Sequence, residues 1–287
     1  MTTQRATPVG VDPVLHLATP AELGALHLRH AQRRHLAAAV LDLAARGRLR
    51  VADAGNDATV GYALDWYLLL PGEAPPVGVD ATVLAEVRTA HPRHAPWTEP
   101  GSEPAVPERQ DALREHEQRL LTLVADTPSR LLSRVRAHTD LPRVLAALDH
   151  DVVERGWFAR SSRVLPAGLL DHLHGVHAGR RRTRDGDEVA ARLRAARAGL
   201  SKHRPEAPAV ADLLPTAVAL GLLDLWTAHL GQLRPPPPSW FTPGRSTTAR
   251  GWLGVCGVAT AMSVEPPPGG GAGSGFVGGA GSGGGFA

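Results

Sequence analysis

The chain has 287 residues, of which 43% are hydrophobic and 21% charged, so it is long enough for two small domains or one large one. Its single cysteine, Cys256, excludes an intramolecular disulfide and a zinc site built from several cysteines. The formal net charge is only +3, and the basic residues are almost all arginines spread along the chain. Overall charge therefore does not indicate nucleic-acid binding, which requires basic residues clustered on one face.

Residues 1–18 are expected to form a flexible leader. They contain no continuous apolar run behind a basic start, so no secretory signal is predicted. With a single cysteine in the chain, a cytoplasmic location is expected, and association with a membrane surface stays open.

A winged-helix-like unit is predicted over residues 19–70. Thr19 can cap a helix that has Pro20 at its first position and Glu22 at its third. Apolar residues at helical spacing predict a second helix, which Gly47 ends in the left-handed conformation. The β-rich stretches at 49–51 and 60–68 flank a turn and predict a hairpin. Two helices followed by a hairpin are the order expected of a winged helix.

A Pro/Gly-rich linker with one short helix candidate is predicted over residues 71–107, followed by a second winged-helix-like unit at 108–165. The stretch 40–49 aligns in outline with 148–158, with a shared Arg-Gly ahead of an apolar strand start. We interpret this overlap as two copies of one supersecondary unit, the second without a long wing.

Residues 166–234 are predicted to be helical. Val189, Leu193, Ala196 and Leu200 recur at helical spacing between arginines and indicate an amphipathic surface helix. The most apolar run, LLPTAVALGLLDLWTAHL at 213–230, is shorter than the roughly 20 residues of a membrane span and contains an aspartate.

A buried helix is therefore expected for that run, with Leu214, Val218, Leu222 and Leu225 on one face and Trp226 beside them. Residues 235–287 are expected to be a largely disordered Pro/Gly-rich tail, with one weakly apolar piece that could be a strand. The predicted fold class is mainly α with small β hairpins (α+β): two winged-helix-like units, C-terminal helices and the disordered tail.

Four sets of segments resemble a known family: TPAELGAL with LAAAVLDLAARGRLRV, HEQRLLTLV with VLAALDHDVVERGWF, RTRDGDEVAARLRAARAGL, and LLPTAVALGLLDLWTAHL with PPSWF and a glycine-rich end. Their order from Thr19 onwards resembles the cytoplasmic part of a bacterial family of predicted membrane proteins, domain of unknown function 2207. The resemblance implies a membrane-tethered protein of unknown biochemical activity, with hydrophobic spans between GWF and RTRDG. This chain departs from that pattern, because residues 159–180 carry three histidines and several arginines where the spans are expected.

The best candidate for metal chemistry is the stretch 171–177, in which His172, His174 and His177 lie beside an aspartate. A zinc site needs three or four converging ligands, so solvated histidines are the alternative. No HExxH, P-loop, dinucleotide or nucleophile-elbow motif occurs, and no cofactor or catalytic residue is predicted. A weaker histidine group is His27, His30 and His35, and Cys256 is expected to be a buried, inert thiol.

The run containing Arg180, Arg181, Arg182 and Arg184 can contact anionic lipid or phosphate, or it can be a solvated helix flank. Tandem winged-helix units also suggest a DNA-binding regulator. The predicted recognition helix at 36–45 is nearly all Ala, Leu and Val, and its counterpart carries Asp149, Asp151 and Glu154, so nucleic acid is disfavoured.

The favoured hypothesis is a non-enzymatic intracellular interaction or scaffold protein with a protein partner. The alternatives are a DNA-binding regulator that uses the tandem units and, more weakly, a metal-dependent enzyme at the His172–His177 stretch.

Overall fold

The computed structural model describes residues 12–54, 65–73, 112–159, 181–202, 207–233, 238–242 and 251–264. These residues are mostly helical and include three short strands, which confirms a mainly α fold with a small β component. The elements are a 3₁₀ helix (Pro13–His16), α1 (Pro20–Leu28), α2 (Arg33–Ala45), β1 (Arg50–Asp53), β2 (Trp66–Leu69), α3 (Glu115–Asp126), α4 (Leu132–Arg136), α5 (Leu141–Glu154), α6 (Arg184–Lys202), α7 (Ala207–Ala219), α8 (Leu223–Leu233), β3 (Phe241–Thr242) and α9 (Gly251–Ser263).

The start of α1 confirms the predicted capping box. The Thr19 hydroxyl accepts the backbone N–H of Glu22 at 3.3 Å, and the Glu22 carboxylate accepts the backbone N–H of Thr19 at 2.9 Å. Four residues separate α1 from α2, and Gly47 follows α2 with φ +72°, the predicted left-handed conformation. The chain therefore has a helix–turn–helix followed by strand β1.

The sheet has the order β2-β1-β3. Strands β1 and β2 are antiparallel with Val51 opposite Leu68, which confirms the predicted hairpin. Strand β3 runs parallel to β1 with Phe241 opposite Val51, and it comes from a segment that was predicted to be disordered. The tail thus completes the sheet.

Helix α2 lies at the centre of the protein. Helices α1, α7 and α9 pack against it, and its residues from His35 to Leu41 are all buried, as are Leu43 and Ala44. Packed helices therefore cover most of the described surface of α2. The apolar composition at 36–45 is explained by burial.

Both predicted units share one hydrophobic core, which includes Leu41 from the first and Leu148 from the second. The Asp149 carboxylate accepts the backbone N–H of Ala31 at 2.8 Å and joins α5 to the α1–α2 turn. The second unit is expected to begin a strand after its Arg-Gly pair. Among the described residues at that place, the β pairing is a single isolated bridge between Phe158 and Arg182.

Two segments near the ends of the chain are ordered, although the sequence predicts a flexible leader and a largely disordered tail. In the leader, Val14 and Leu15 of the 3₁₀ helix are buried. In the tail, residues 251–263 form α9, whose Val255 and Val258 are fully buried, so the expectation of a strand or disorder is wrong there. Residues 1–11 of the leader, tail residues 235–237, 243–250 and 265–287, the helix candidate at 81–91 and most of the linker lie outside the described residues.

The run 213–230 forms parts of two helices. Gly221 between α7 and α8 has φ +72° and changes the direction of the chain. Leu214, Val218, Leu222 and Trp226 are buried as predicted, but Leu225 is 49% exposed because the break shifts the phase of α8. None of the described helices combines the length and apolarity that a membrane crossing requires.

Candidate functional site

The described arginines of the predicted basic run, Arg181, Arg182 and Arg184, do not share one environment. Arg182 turns inward with 6% of its side chain exposed, and its Nη2 donates to the carbonyl oxygens of Leu26 at 2.7 Å and His27 at 2.9 Å. Arg184 is 91% exposed and pairs with Glu188. Arg182 thus supports the end of α1 and Arg184 has an acidic neighbour, while Arg180 lies outside the described residues, so contact of the run with an anionic surface stays a prediction.

The predicted metal ligands His172, His174 and His177 also lie outside the described residues. His35 is fully buried, and its Nδ1 accepts the backbone N–H of Gln32 at 3.0 Å. Burial, with a smaller contribution from Arg34, lowers its pKa to about 3, so the ring is neutral. His35 therefore acts as a packed core side chain.

The structure brings together a different set of basic residues around His27, at the C-terminal end of α1. We define the His27 cluster as His27 with five arginines from the α1–α2 turn, α2, the segment before α6, and α6: Arg29, Arg34, Arg182, Arg194 and Arg197. They come from positions between 27 and 197 of the chain. Folding alone assembles this basic region.

Backbone contacts hold several members of the cluster in place. Arg182 caps the end of α1, as described above, and Arg197 donates through Nε to the carbonyl oxygen of Leu220 at 2.9 Å. The Arg34 guanidinium lies against Gly221, with Nη1 2.8 Å from the position that a Cβ on that glycine would take. Arg29 has φ +69°, an uncommon conformation for a residue with a side chain.

The pKa of His27 reports the charge of this region. Burial lowers the pKa of the partly exposed imidazole below 6.5, and four guanidinium groups lower it further: Arg197, Arg182, Arg194 and Arg34. Positive charges disfavour the protonated ring because a second cation would be placed among them. His27 therefore lies in a positive local field.

Little negative charge offsets this field within the described part of the chain. Asp187 lies 3.8 Å from Arg182, while Arg29, Arg34 and Arg194 form no ion pair with any described carboxylate. Arg29 and Arg194 are exposed. Elsewhere the described arginines commonly have carboxylate partners, as Arg192 has Asp12 at 3.6 Å.

A second charged network lies inside the protein between α2 and α3. Arg46 Nη2 bridges Asp42, at 2.8 Å, and Glu117. Burial raises the pKa of Asp42 to about 6 although Arg46 lowers it. The nearby His116 Nδ1 lies 2.6 Å from the Asp151 carboxylate, and the imidazole is fully buried. A solute cannot reach this pair, so we interpret the network as structural.

One group of possible metal ligands occurs in the described residues: Glu115, His150 and Asp151, with ligand atoms within 4.8 Å of one another. Glu115 is already paired with Arg119 at 2.6 Å, and the same open groove is lined by Arg119 and Arg143. The positive charges of Arg119 and Arg143 in this groove oppose the binding of a metal cation.

Cys256 is buried in α9, and burial raises the pKa of its thiol to about 11. A thiol in this state is protonated at neutral pH, and its burial agrees with the expected buried thiol.

No protein family, curated protein or solved structure matches this chain. The resemblance to the domain of unknown function 2207 family thus stays a prediction.

Sequence reasoning missed the His27 cluster. Its one local signal is the pair Arg194 and Arg197, three positions apart on α6 and hence on one side of the helix. In a chain with 31 basic residues, that spacing alone does not distinguish a cluster from a solvated face.

Proposed function

We propose that the protein is a non-enzymatic interaction protein whose His27 cluster binds an acidic segment of a protein partner. One observation carries the proposal: the arginines around His27 leave excess positive charge that described carboxylates do not neutralise. Arg182 and Arg197 are fixed by hydrogen bonds to backbone carbonyl oxygens, so their positive charge stays in place and favours binding of a carboxylate or phosphate group at the neighbouring arginines.

The surroundings of the cluster favour a short acidic segment over duplex DNA. Asp185, Asp187 and Glu188 are exposed on the first turns of α6, next to Arg182 and Arg184. A continuous phosphate backbone that followed the basic run would meet these carboxylates, whereas a short segment can bind near Arg194 and avoid them. The enclosed position of α2 supports the same choice.

We also propose that residues 19–70 are a winged-helix-like unit adapted to packing within a scaffold. The order of α1, α2 and the β1–β2 hairpin supports this proposal, and the apolar surface of α2 explains why it would bind helices instead of DNA. Superposition of an experimental structure of the chain on winged-helix domains tests it: a different relative orientation of α1 and α2 would contradict it.

The binding proposal is tested by fluorescence anisotropy with a labelled glutamate-rich peptide at increasing salt. Arg194→Glu reverses one charge of the cluster. Arg192→Glu makes the same change in net charge on the same helix, at an exposed arginine outside the cluster that pairs with Asp12. We expect salt-sensitive binding to wild type and Arg192→Glu, with at least about tenfold weaker binding to Arg194→Glu, or about 1.4 kcal/mol.

Equal binding to both variants would contradict the proposed site. Duplex DNA and vesicles containing anionic lipid are run in parallel. If duplex DNA or the vesicles bind wild type more tightly than the peptide does, and bind Arg194→Glu more weakly, then that ligand would replace the acidic protein segment as the proposed partner.

A further inference from the structure

We propose that the His27 cluster is a phosphate-binding site, so that the acidic segment it recognises carries a phosphorylated side chain. This inference rests on the proposed function and specifies its ligand. The cluster combines two exposed arginines, Arg29 and Arg194, with Arg34 at the start of α2, and none of the three pairs with a described carboxylate.

The amount of charge favours phosphate over a carboxylate. Five guanidinium groups act in the cluster, and Asp187 is the described acidic group closest to them, 3.8 Å from Arg182. One glutamate adds a single negative charge, whereas a phosphate ester carries about −1.5 to −2 at pH 7 and has three acceptor oxygens. Arginine binds phosphate through two parallel hydrogen bonds, which suits a site with several guanidinium groups.

The arginines divide into two roles. Arg182 and Arg197 each donate to backbone carbonyl oxygens, so they fix the walls of the site and contribute their field. Arg29, Arg34 and Arg194 hold no such carbonyl in the described structure and are the groups that we assign to the phosphate oxygens. This division predicts that Arg194 contributes to affinity without supporting the fold.

His27 adds proton dependence to the site. Its backbone carbonyl oxygen accepts a hydrogen bond from Arg182 Nη2 at 2.9 Å, which keeps one guanidinium group close to the residue. A bound phosphate offsets their repulsion and favours the protonated imidazolium, which can donate to a phosphate oxygen. Binding should therefore take up a proton. The charged and titratable groups around His27 are Arg34, His30 and His35 from α2 and its approach, Arg194 and Arg197 from α6, Arg29, Arg182, and Asp187 beside Arg182.

Isothermal titration calorimetry tests the proposal on the full-length chain. The probes are a phosphoserine peptide, the same peptide with glutamate at that position, and inorganic phosphate, each added to wild type, Arg194→Ala and Arg192→Ala. We expect the phosphopeptide to bind wild type at least about tenfold more tightly than the glutamate peptide, with that preference lost in Arg194→Ala and kept in Arg192→Ala.

The outcomes separate the two proposals. Equal affinity for both peptides would overturn the phosphate site and leave the acidic-segment proposal standing, whereas binding of neither would overturn both. Inorganic phosphate as tight as the phosphopeptide would support the phosphate site and identify a small phosphorylated compound as its ligand. Phosphopeptide binding that Arg194→Ala leaves unchanged would place the phosphate elsewhere and overturn the proposal.

Proton uptake provides a readout that a merely structural role of His27 would not change. Titrations at pH 7 in buffers of different ionisation enthalpy give the number of protons exchanged on binding. We expect His27→Gln to take up fewer protons than wild type, since the variant lacks the imidazole while the phosphate's own titration is common to both. Identical proton exchange in the two proteins would contradict a role for His27 in binding.

Discussion

Arg155 and Glu22 form a two-point ion pair inside the protein, with Nε 2.7 Å from Oε1 and Nη2 2.9 Å from Oε2. Glu22 is fully buried at the start of α1, and Arg155 follows the end of α5. Burial acts to raise the pKa of Glu22, but Arg155, Thr19 and Arg114 together lower it below its ordinary value. The Glu22 carboxylate therefore joins α1, in the first predicted unit, to the end of α5, in the second predicted unit.

Glu22→Gln should therefore destabilise the protein strongly. Removal of the buried carboxylate leaves the largely buried Arg155 without its counter-ion, at a cost of about 3 kcal/mol. The free energy of unfolding from urea denaturation measures this change. The matched control is Glu115→Gln, which removes the exposed pair with Arg119 and should cost less than about 1 kcal/mol. Equal losses in the two variants would show that the buried pair does not join the segments.

Asp42 should make stability depend on pH in the direction opposite to that of an ordinary surface carboxylate. Its folded-state pKa of about 6 exceeds the ordinary value of 3.8, so its contribution is fully present below about 4 and is lost as the pH rises through 6. Asp42→Asn removes this titration. Relative to the variant, wild type should lose roughly 2 kcal/mol between pH 4 and pH 7.

Denaturation of both proteins across this pH range measures the difference, which also cancels the contributions of other titrating groups. A difference that stays constant with pH, or that grows in favour of wild type as the pH rises, would contradict the assignment of the raised pKa to Asp42.

Gly24 should not tolerate a methyl group. A Cβ there would lie 2.6 Å from Cδ2 of the buried His35 and 2.9 Å from the carbonyl oxygen of Ala219. Gly24→Ala should cost about 1–3 kcal/mol by overpacking, as measured by thermal unfolding. Gly199→Ala on α6 meets no atom within 4 Å and should instead stabilise by about 0.5–1 kcal/mol. A neutral Gly24→Ala would contradict the close contact of α1 with α2 and α7.

Local signals explain what the sequence predicts well. Thr19, Pro20 and Glu22 lie within four residues of one another and stabilise the start of α1 by themselves, so the capping box is predictable. The hairpin is similarly local, since its strands are neighbours along the chain.

Long-range packing explains the errors. Gly254 and Gly257 suggest an irregular segment, yet they lie in α9, where Cβ atoms would come within 2.7 Å of Phe241 and 2.8 Å of Trp66. The glycines thus serve close packing, which cannot be inferred without the partner side chains. Leu225 was assigned to the buried face because nothing in the apolar pattern marks Gly221 as the break between two helices.

Long-range packing also assembles the candidate site. Arg29 and Arg194 lie 165 positions apart, and only the packing of α6 beside α1 brings their regions together. The contiguous run at 180–184 indicates a basic surface from sequence alone because its arginines are adjacent. In the structure, Arg182 supports the end of α1 and Arg184 has an acidic neighbour.

The pKa of the His27 imidazole, measured by NMR, tests the central claim most directly because it needs no ligand. The signal is identified by its loss in His27→Gln, and the titration is repeated in Arg194→Ala and in Arg192→Ala as the control. The pKa should lie below 6.5 in wild type, rise in Arg194→Ala and stay unchanged in Arg192→Ala. A wild-type pKa at or above 6.5 that Arg194→Ala does not alter would contradict a positive cluster around His27.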